Sequence, residues 1–447
     1  MHLPHPRTSR SRRGFQPKAV ITCSHMMCRH MSATKYEYDD ELSDVGMTTV
    51  SPRTLAINGG SPVRTNFLPY GRQSVDEADI QAVVEVLRSD WLTTGPKVAE
   101  FEEAFAARIG ADHAVSFSSG TAALHAAAFA AGLKSGDEAI TTPMTFAATA
   151  NCVLYQGATP VFADVNRDTL NIDPEEVAQK ISAKTRAILP VDYAGHPAEL
   201  TAILEIAKKH GLIVIEDACH ALGAEYGGRP VGSIADMTVF SFHPVKHITT
   251  GEGGMVATNN AEFAETLRRF RNHGISSDAR QRQSAGQWYY EMVLLGFNYR
   301  LPDIVCALGI EQLKGLDANL ARRREIAALY TASFREIPGV IPPAVLPEAN
   351  PAWHLYPIRL DLERLTADRA QIFRALRAEN IGVNVHYIPV HLHPYYRERF
   401  GYKGGEFPVA EDAYTRLISL PMFHGMSDQD AEDVIEAVTK VVGSYSS

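Results

Sequence analysis

The chain has 447 residues, 45% hydrophobic and 21% charged, ordinary for a globular protein with room for one large domain and a smaller one. A net charge of −9 gives no electrostatic reason for a nucleic-acid partner, and no apolar run approaches the roughly 20 residues of a membrane span. Five scattered cysteines (Cys23, Cys28, Cys152, Cys219, Cys306) read as reduced thiols of a cytoplasmic protein rather than a disulfide frame.

Residues 1–50 stand apart. Arg7, Arg10, Arg12 and Arg13 crowd the start, Asp39, Asp40, Glu41 and Asp44 follow, and no hydrophobic period runs through them. Such a segment buries too little apolar surface to order itself, so a disordered extension is expected, with Met31 and Met47 as alternative starts. Neither an amphipathic transit pattern nor a signal-type apolar core follows the arginines. Cys23 and Cys28 lie near His25 and His30 but lack the second cysteine pair of a zinc site, and no metal is expected.

From residue 51 the pattern becomes regular. Ser74-Val75-Asp76-Glu77 reads as a capping box opening a helix through Leu87. Short apolar strands then alternate with helices: 114–117 and 121–131, 138–141 and 146–155, 159–164 and 174–181, 187–191 and 199–210, then 212–217. This alternation predicts an α/β fold whose mostly parallel sheet is covered on both faces. Strands at 237–242 and 254–258 follow without a helix between them. After Arg300 come a helical run over 301–337, a proline-rich stretch, strands at 354–360 and 383–388, and helices at 367–379 and 428–442. The reading is a large domain over 51–310 and a smaller α+β domain over 311–447.

The chemistry concentrates at the ends of strands. Lys246 lies in Ser241-Phe242-His243-Pro244-Val245-Lys246-His247-Ile248-Thr249-Thr250-Gly251-Glu252-Gly253-Gly254, where a hydrophobic strand delivers it to a turn rich in hydroxyls and glycines. A lysine among apolar residues has a depressed pKa, which frees its amine to form a Schiff base. Asp217 ends another apolar strand, where open α/β sheets place ligand-binding groups. Together they point to the lysine and aspartate that hold pyridoxal 5'-phosphate (PLP), one at its aldehyde carbon and one at its ring nitrogen. Ser118-Ser119-Gly120-Thr121 ends a strand and opens an alanine-rich helix, an arrangement that cradles a phosphate on backbone N–H groups; the same tetrapeptide also serves as a plain strand-to-helix turn. His220 follows Asp217 by three residues, Phe146 offers a ring for stacking, and Ser241, Thr249 and Thr250 offer hydroxyls near the lysine.

As a set, Glu216-Asp217-Ala218-Cys219-His220-Ala221-Leu222-Gly223, Ser241 to Lys246, Gly251-Glu252-Gly253-Gly254 and Gly296-Phe297-Asn298-Tyr299-Arg300-Leu301 resemble the motifs of the DegT/DnrJ/StrS family of PLP-dependent nucleotide-sugar aminotransferases. The likeness spans about residues 55–445 and implies a transferase of the aspartate aminotransferase type (fold type I). It implies Lys246 as Schiff-base lysine and proton shuttle and Asp217 as ring-nitrogen partner, with Gly120, Thr121, Ser241, His220 and Phe146 around the cofactor. By the same motifs Asn298 reaches the cofactor phosphate of a second subunit, so a homodimer with shared sites is expected. Tyr70, Asp90, Trp91, Leu92, Thr93, His386, Tyr387, Ile388 and Pro389 would face the nucleotide sugar. His220 stands where many members carry glutamine, and both side chains donate a hydrogen bond.

Within the family, Val191-Asp192-Tyr193-Ala194-Gly195, Gln287-Trp288-Tyr289-Tyr290, His354-Leu355-Tyr356-Pro357 and Val385 to His391 are most similar to the C-4 aminotransferases of pseudaminic acid biosynthesis. That implies amino transfer from L-glutamate to a UDP-4-keto-6-deoxy-N-acetyl-hexosamine, giving UDP-4-amino-4,6-dideoxy-N-acetyl-β-L-altrosamine. Alternatives are another nucleotide 4-keto sugar, of the bacillosamine or aminoarabinose type, and a non-catalytic PLP-binding regulatory protein. Family dehydratases carry histidine in place of the Schiff-base lysine, which Lys246 disfavours.

Overall fold

The computed structural model describes residues 54–276, 282 and 285–447, so the expected extension over 1–50 lies outside the described residues. The first helices, α1 (Glu77–Leu87) and α2 (Pro96–Ile109), precede a seven-stranded sheet. Its members are β1 (His113–Phe117), β2 (Glu138–Thr141), β3 (Thr159–Phe162), β4 (Thr185–Leu189), β5 (Ile213–Asp217), β8 (Met237–Ser241) and β9 (Gly254–Thr258), in the spatial order β1-β9-β8-β5-β4-β2-β3. Two short strands, β6 (Glu225–Tyr226) and β7 (Arg229–Pro230), form a separate ribbon. Strands β8, β5, β4, β2 and β3 run parallel, and β9 runs antiparallel to both β8 and β1. The expected local return around Lys246 is this β8–β9 pair.

Alternation along the strands divides the core. Ala187 and Leu189 of β4 and Ile215 of β5 face a cluster that includes α3 (Gly120–Ala130) and α4 (Ala147–Tyr155). Ile188 and Val214, one residue out of phase, pack against α6 (Leu200–His210) and Val177 of α5 (Pro174–Gln179). Because side chains alternate with period two, Asp217 falls on the α3–α4 face and Glu216 on the other. Helix α3 is alanine-rich because it is nearly encased, with Ala123, Ala126, Ala127 and Ala128 all fully buried; small side chains let the helix lie close on the sheet.

Beyond β9 come α7 (Ala261–Phe270), α8 (Asp303–Lys314) and α9 (Leu316–Arg335), then a three-stranded antiparallel sheet of β10 (Val340–Ile341), β12 (Tyr356–Leu360) and β13 (Leu417–Leu420). Strand β11 (Ala349–Asn350) pairs with β6. A core of its own joins α9, this sheet, the helices Arg369–Ala378 and Asp428–Tyr445, and also Leu55 and Leu68 from the start of the described chain.

Several expectations are corrected by local chemistry. Helix α1 is capped by Asp76, with Asp79 completing the box, rather than by the Ser74–Glu77 pair; the Ser74 carbonyl instead accepts from Gln312 Nε2 at 3.0 Å. The expected helix over 301–337 is two helices meeting at Gly315, where glycine weakens the helix. Residues 383–388 make no strand. Asn384 turns its side chain onto the Val385 N–H at 2.8 Å, which competes with ladder formation, and one bridge to Ser419 remains.

Candidate active site

Lys246 sits in the β8–β9 connection, and the hydroxyls and glycines around it shape the turn. Thr249 Oγ1 donates to the Phe242 carbonyl (3.1 Å) and accepts from the Gly251 N–H (2.9 Å). Thr250 Oγ1 donates to the Glu252 carbonyl at 2.7 Å, and Gly251 adopts φ 78°, which a side chain would strain. The two threonines, expected near the lysine amine, therefore spend their hydroxyls inside the loop. The lysine side chain is partly accessible along its length, but burial around its amine pushes the pKa down to about 8, with Asp217 opposing and Arg323 reinforcing.

On the sheet beside it, Asp217 is 5% exposed. Its Oδ2 accepts from Thr149 Oγ1 of α4 at 2.7 Å, and its Oδ1 from the Cys219 N–H at 3.2 Å. Hydrogen bonds to a carboxylate contribute about 1.5–3 kcal/mol each and favour its ionised form. The third component is the start of α3. Ser119 caps it by accepting from the Ala122 N–H at 3.1 Å, while the N–H groups of Gly120 and Thr121, in the first turn, have no acceptor within the helix. A Cβ at Gly120 would lie 3.0 Å from Ser241 Cβ and 3.4 Å from Cys219 Sγ. The helix start, Ser241 and the Asp217–Cys219 segment are thus packed closely enough that any larger side chain at Gly120 would have to push Ser241 aside.

A histidine–tyrosine wall closes the other side. His354 Nε2 lies 3.4 Å from Lys246 Nζ, and its ring is 4.4 Å from that of His220. His220 Nε2 meets the Tyr387 hydroxyl at 3.0 Å. Phe146, 61% exposed, is 6.2 Å from the Tyr387 ring, and Tyr70 is 5.5 Å from His386. His386 itself bonds Ser419 Oγ through Nδ1 at 2.9 Å. Burial, helped by the charge of Lys246, pushes His220 and His354 well below the usual imidazole range and His386 down to about 4. These rings are neutral at physiological pH. Arg323, fully buried, donates Nη1 to the carbonyls of Trp353 (3.0 Å), His354 (3.3 Å) and Met422 (3.0 Å), fixing the segment that carries His354 to the lysine.

The chain's arrangement brings Lys246, Asp217, Gly120, Ser241, His220, Tyr387 and Phe146 into one neighbourhood, with Thr121 at the mouth of α3. Ile388 is exposed, and Pro389 is buried next to Val390, whose N–H donates to Pro143. Asp90, Leu92 and Thr93 are exposed in the α1–α2 connection and Trp91 is half-buried there, with its N–H on Ser89 Oγ; no described hydrogen bond joins them to Lys246. Asn298 is exposed and bridges Asn272, while its neighbour Tyr299 accepts from the Ser118 N–H at 2.8 Å, beside the α3 start. Thr149 and His354 were not among the expected site residues. Thr149 also bonds Thr145 Oγ1 at 2.8 Å, and His354 opens the His-Leu-Tyr-Pro motif, though nothing in the sequence links either residue to the groups it meets in the site. A cavity of about 440 Å³ between α2, α7 and Arg300 contains neither Lys246 nor Asp217.

Comparison with known proteins decides what this constellation belongs to. The family model for DegT/DnrJ/EryC1/StrS aminotransferases matches residues 73–439. The chain belongs to this family. It is 47% identical over 381 residues to the spore coat polysaccharide biosynthesis protein SpsC of Bacillus subtilis, covering 85% of this chain and 98% of the relative. Among solved structures it resembles Helicobacter pylori PseC, an aminotransferase involved in the biosynthesis of pseudoaminic acid (36% identity, TM-score 0.79, 85% of this chain and 100% of that one). It also resembles the PLP form of the sugar aminotransferase Spr1654 from Streptococcus pneumoniae (30% identity, TM-score 0.79, 85% and 99%).

The protein is accordingly a PLP-dependent sugar aminotransferase of fold type I. The residues present fit that cofactor: a lysine amine with a depressed pKa, a hydrogen-bonded buried carboxylate, and a helix start at Gly120 and Thr121 packed beside Ser241.

The amine's lowered pKa gives a direct expectation. Capture of added PLP by the cofactor-free protein requires the unprotonated amine, so its rate should rise with pH and level off above about 8. A rate that keeps climbing toward pH 10, as for a surface lysine, would show that burial does not tune Lys246.

Proposed function

We propose that the protein transfers the amino group of L-glutamate to C-4 of a UDP-4-keto-6-deoxy-N-acetyl-hexosamine, giving UDP-4-amino-4,6-dideoxy-N-acetyl-β-L-altrosamine, as in pseudaminic acid biosynthesis. The observation that carries this reading is the likeness to PseC over the whole of that chain. The 47% identity to SpsC, named for spore coat polysaccharide, favours a second reading: the same chemistry on another nucleotide 4-keto sugar.

In this proposal PLP supplies an aldehyde that exchanges between amines and a ring that takes up the electron pair left when a C–H bond breaks. Lys246 Nζ would hold the cofactor in the resting enzyme. Freed by the amino donor, the same amine would lift the Cα proton of glutamate and, in the second half, return a proton to C-4 of the sugar. Asp217, held by Thr149 and the Cys219 N–H, would pair with the ring nitrogen. Gly120, Thr121 and Ser241 would hold the phosphate, Phe146 would cover the ring, and His220 would bond the ring oxygen. Tyr70, the 90–93 segment and 386–389 would face the sugar nucleotide.

The site is completed by a second copy of the chain. Its support is the exposed apolar stretch Trp288 (83%), Met292 (67%) and Leu295 (75%), next to an exposed Asn298 that would reach the partner's phosphate. A small domain from about residue 311 is part of the same proposal, supported by the separate core around α9 and β12. A cytoplasmic setting accords with free thiols at Cys152, Cys219 and Cys306.

Incubation with a panel of UDP-4-keto sugars, glutamate and PLP, followed by mass spectrometry and NMR of the product, should give the 4-amino sugar of β-L-altro configuration. A different configuration would favour the second reading, and no amino sugar from any panel member would overturn both. Asp217→Asn should retain cofactor yet transaminate more slowly by roughly 100-fold or more, the scale of losing one preorganised electrostatic partner. Near-normal turnover with cofactor bound would contradict its role.

A further inference from the structure

On the face of β5 opposite Asp217, two carboxyl groups are buried together. Asp192, just beyond β4, and Glu216 of β5 are both fully inaccessible. Each has one oxygen satisfied: Asp192 Oδ1 accepts from the Ala198 N–H at 2.9 Å, and Glu216 Oε2 from Thr238 Oγ1 at 2.8 Å. The remaining oxygens, Asp192 Oδ2 and Glu216 Oε1, meet no donor, while the two side chains lie within hydrogen-bonding reach of one another. Two ionised carboxylates accept only and cannot bond each other. A proton between them satisfies both orphaned oxygens at once and removes one buried charge.

We propose that Asp192 and Glu216 share one proton and act together as positioning residues for Asp217. The proposal rests, for its functional half, on the reading of Asp217 as the ring-nitrogen partner. Backbone bonds tie the pair to Asp217: the Asp192 N–H donates to the Asp217 carbonyl at 3.1 Å, and the Asp217 N–H to the Pro190 carbonyl at 2.8 Å. Asp217 and the Cys219 thiol, on the other side of β5, are titratable groups whose charge acts on the pair, and β8 contributes the Thr238 hydroxyl. With the proton in place, Asp217 has one fewer buried anion as neighbour. Burial raises both acids, Asp192 well above the carboxylate range and Glu216 to about 7, consistent with a proton retained at neutral pH.

The sign of the stability effect follows. An acid raised from 4.5 to about 7 contributes most below 4.5 and loses that contribution as the pH rises through about 7. The test uses the full-length protein. Infrared spectra at pH 7 should show the C=O stretch of a protonated carboxylic acid, lost in Glu216→Gln and in Asp192→Asn, whose amides replace the shared proton by a permanent donor. Between pH 4.5 and 7 the Tm of the wild type should fall relative to Glu216→Gln. In the PLP-loaded protein above about pH 7, where the wild-type pair gives up its proton and Glu216→Gln carries one anion fewer, the visible band should titrate at a lower pH in the variant, while the surface control Glu205→Gln leaves it in place.

Absence of the acid band from the wild type, or its survival in both variants, overturns the shared proton; if Glu216→Gln fails to fold, Asp192→Asn decides the same point. A band that behaves as expected beside an unmoved visible titration overturns the positioning role. Normal turnover of Asp217→Asn, with band and titration both as expected, would count against the reading of Asp217 alone.

Discussion

A lysine amine held where water stabilises its charge poorly is the constraint on which the rest of the site depends. Lys246 reaches that environment because the β8–β9 connection is folded back on its own carbonyls by Thr249 and Thr250, with Gly251 taking the positive φ. Its hydrogen-bonding neighbours are neutral: His354 at 3.4 Å, then His220 and Tyr387. Arg323 adds a buried cation that fixes the His354 backbone and disfavours a second positive charge. An amine so placed gives up its proton near pH 8, more readily than a surface lysine, and the unprotonated form is what both cofactor capture and proton transfer demand.

The sheet supplies the complementary anion. Period-two alternation at the end of β5 sends Asp217 toward α3 and α4 and Glu216 into the opposite layer. Adjacent carboxyls in sequence thereby acquire different surroundings, one bonded by a hydroxyl and an N–H, the other facing a second acid. Separation of like groups by environment is how one fold keeps one carboxyl charged and another protonated at the same pH. The alanines of α3 serve the same geometry, because their small size lets the helix start approach Ser241 and Cys219.

Much of this was legible in the sequence. Parallel strands buried on both faces read as short apolar runs, so the β-α alternation from 113 to 217 emerged with boundaries shifted by a few residues. Lys246 and Asp217 stood out because each interrupts or ends such a run with a charge. Less legible was whatever depends on partners far along the chain. The cap of α1 lies at Asp76, with Gln312 bonding the Ser74 carbonyl and the Asp79 carboxylate, and the 383–388 strand gives way where Asn384 takes the Val385 N–H. Thr149 and His354 reach the site from 68 and 108 residues away from the groups they touch, and local pattern carries no trace of such pairings. The Asp192–Glu216 contact is of this kind too: two unremarkable acids whose meaning appears only when the fold buries them together.

The proposed chemistry requires Lys246 to hold the cofactor. Borohydride reduction of the PLP-loaded protein fixes the cofactor to whichever lysine carries it, and peptide mapping by mass spectrometry then locates the label. A single labelled site at Lys246 is expected, with no labelling and no visible band in Lys246→Ala. Label on any other lysine, or a band that survives in that variant, would contradict it.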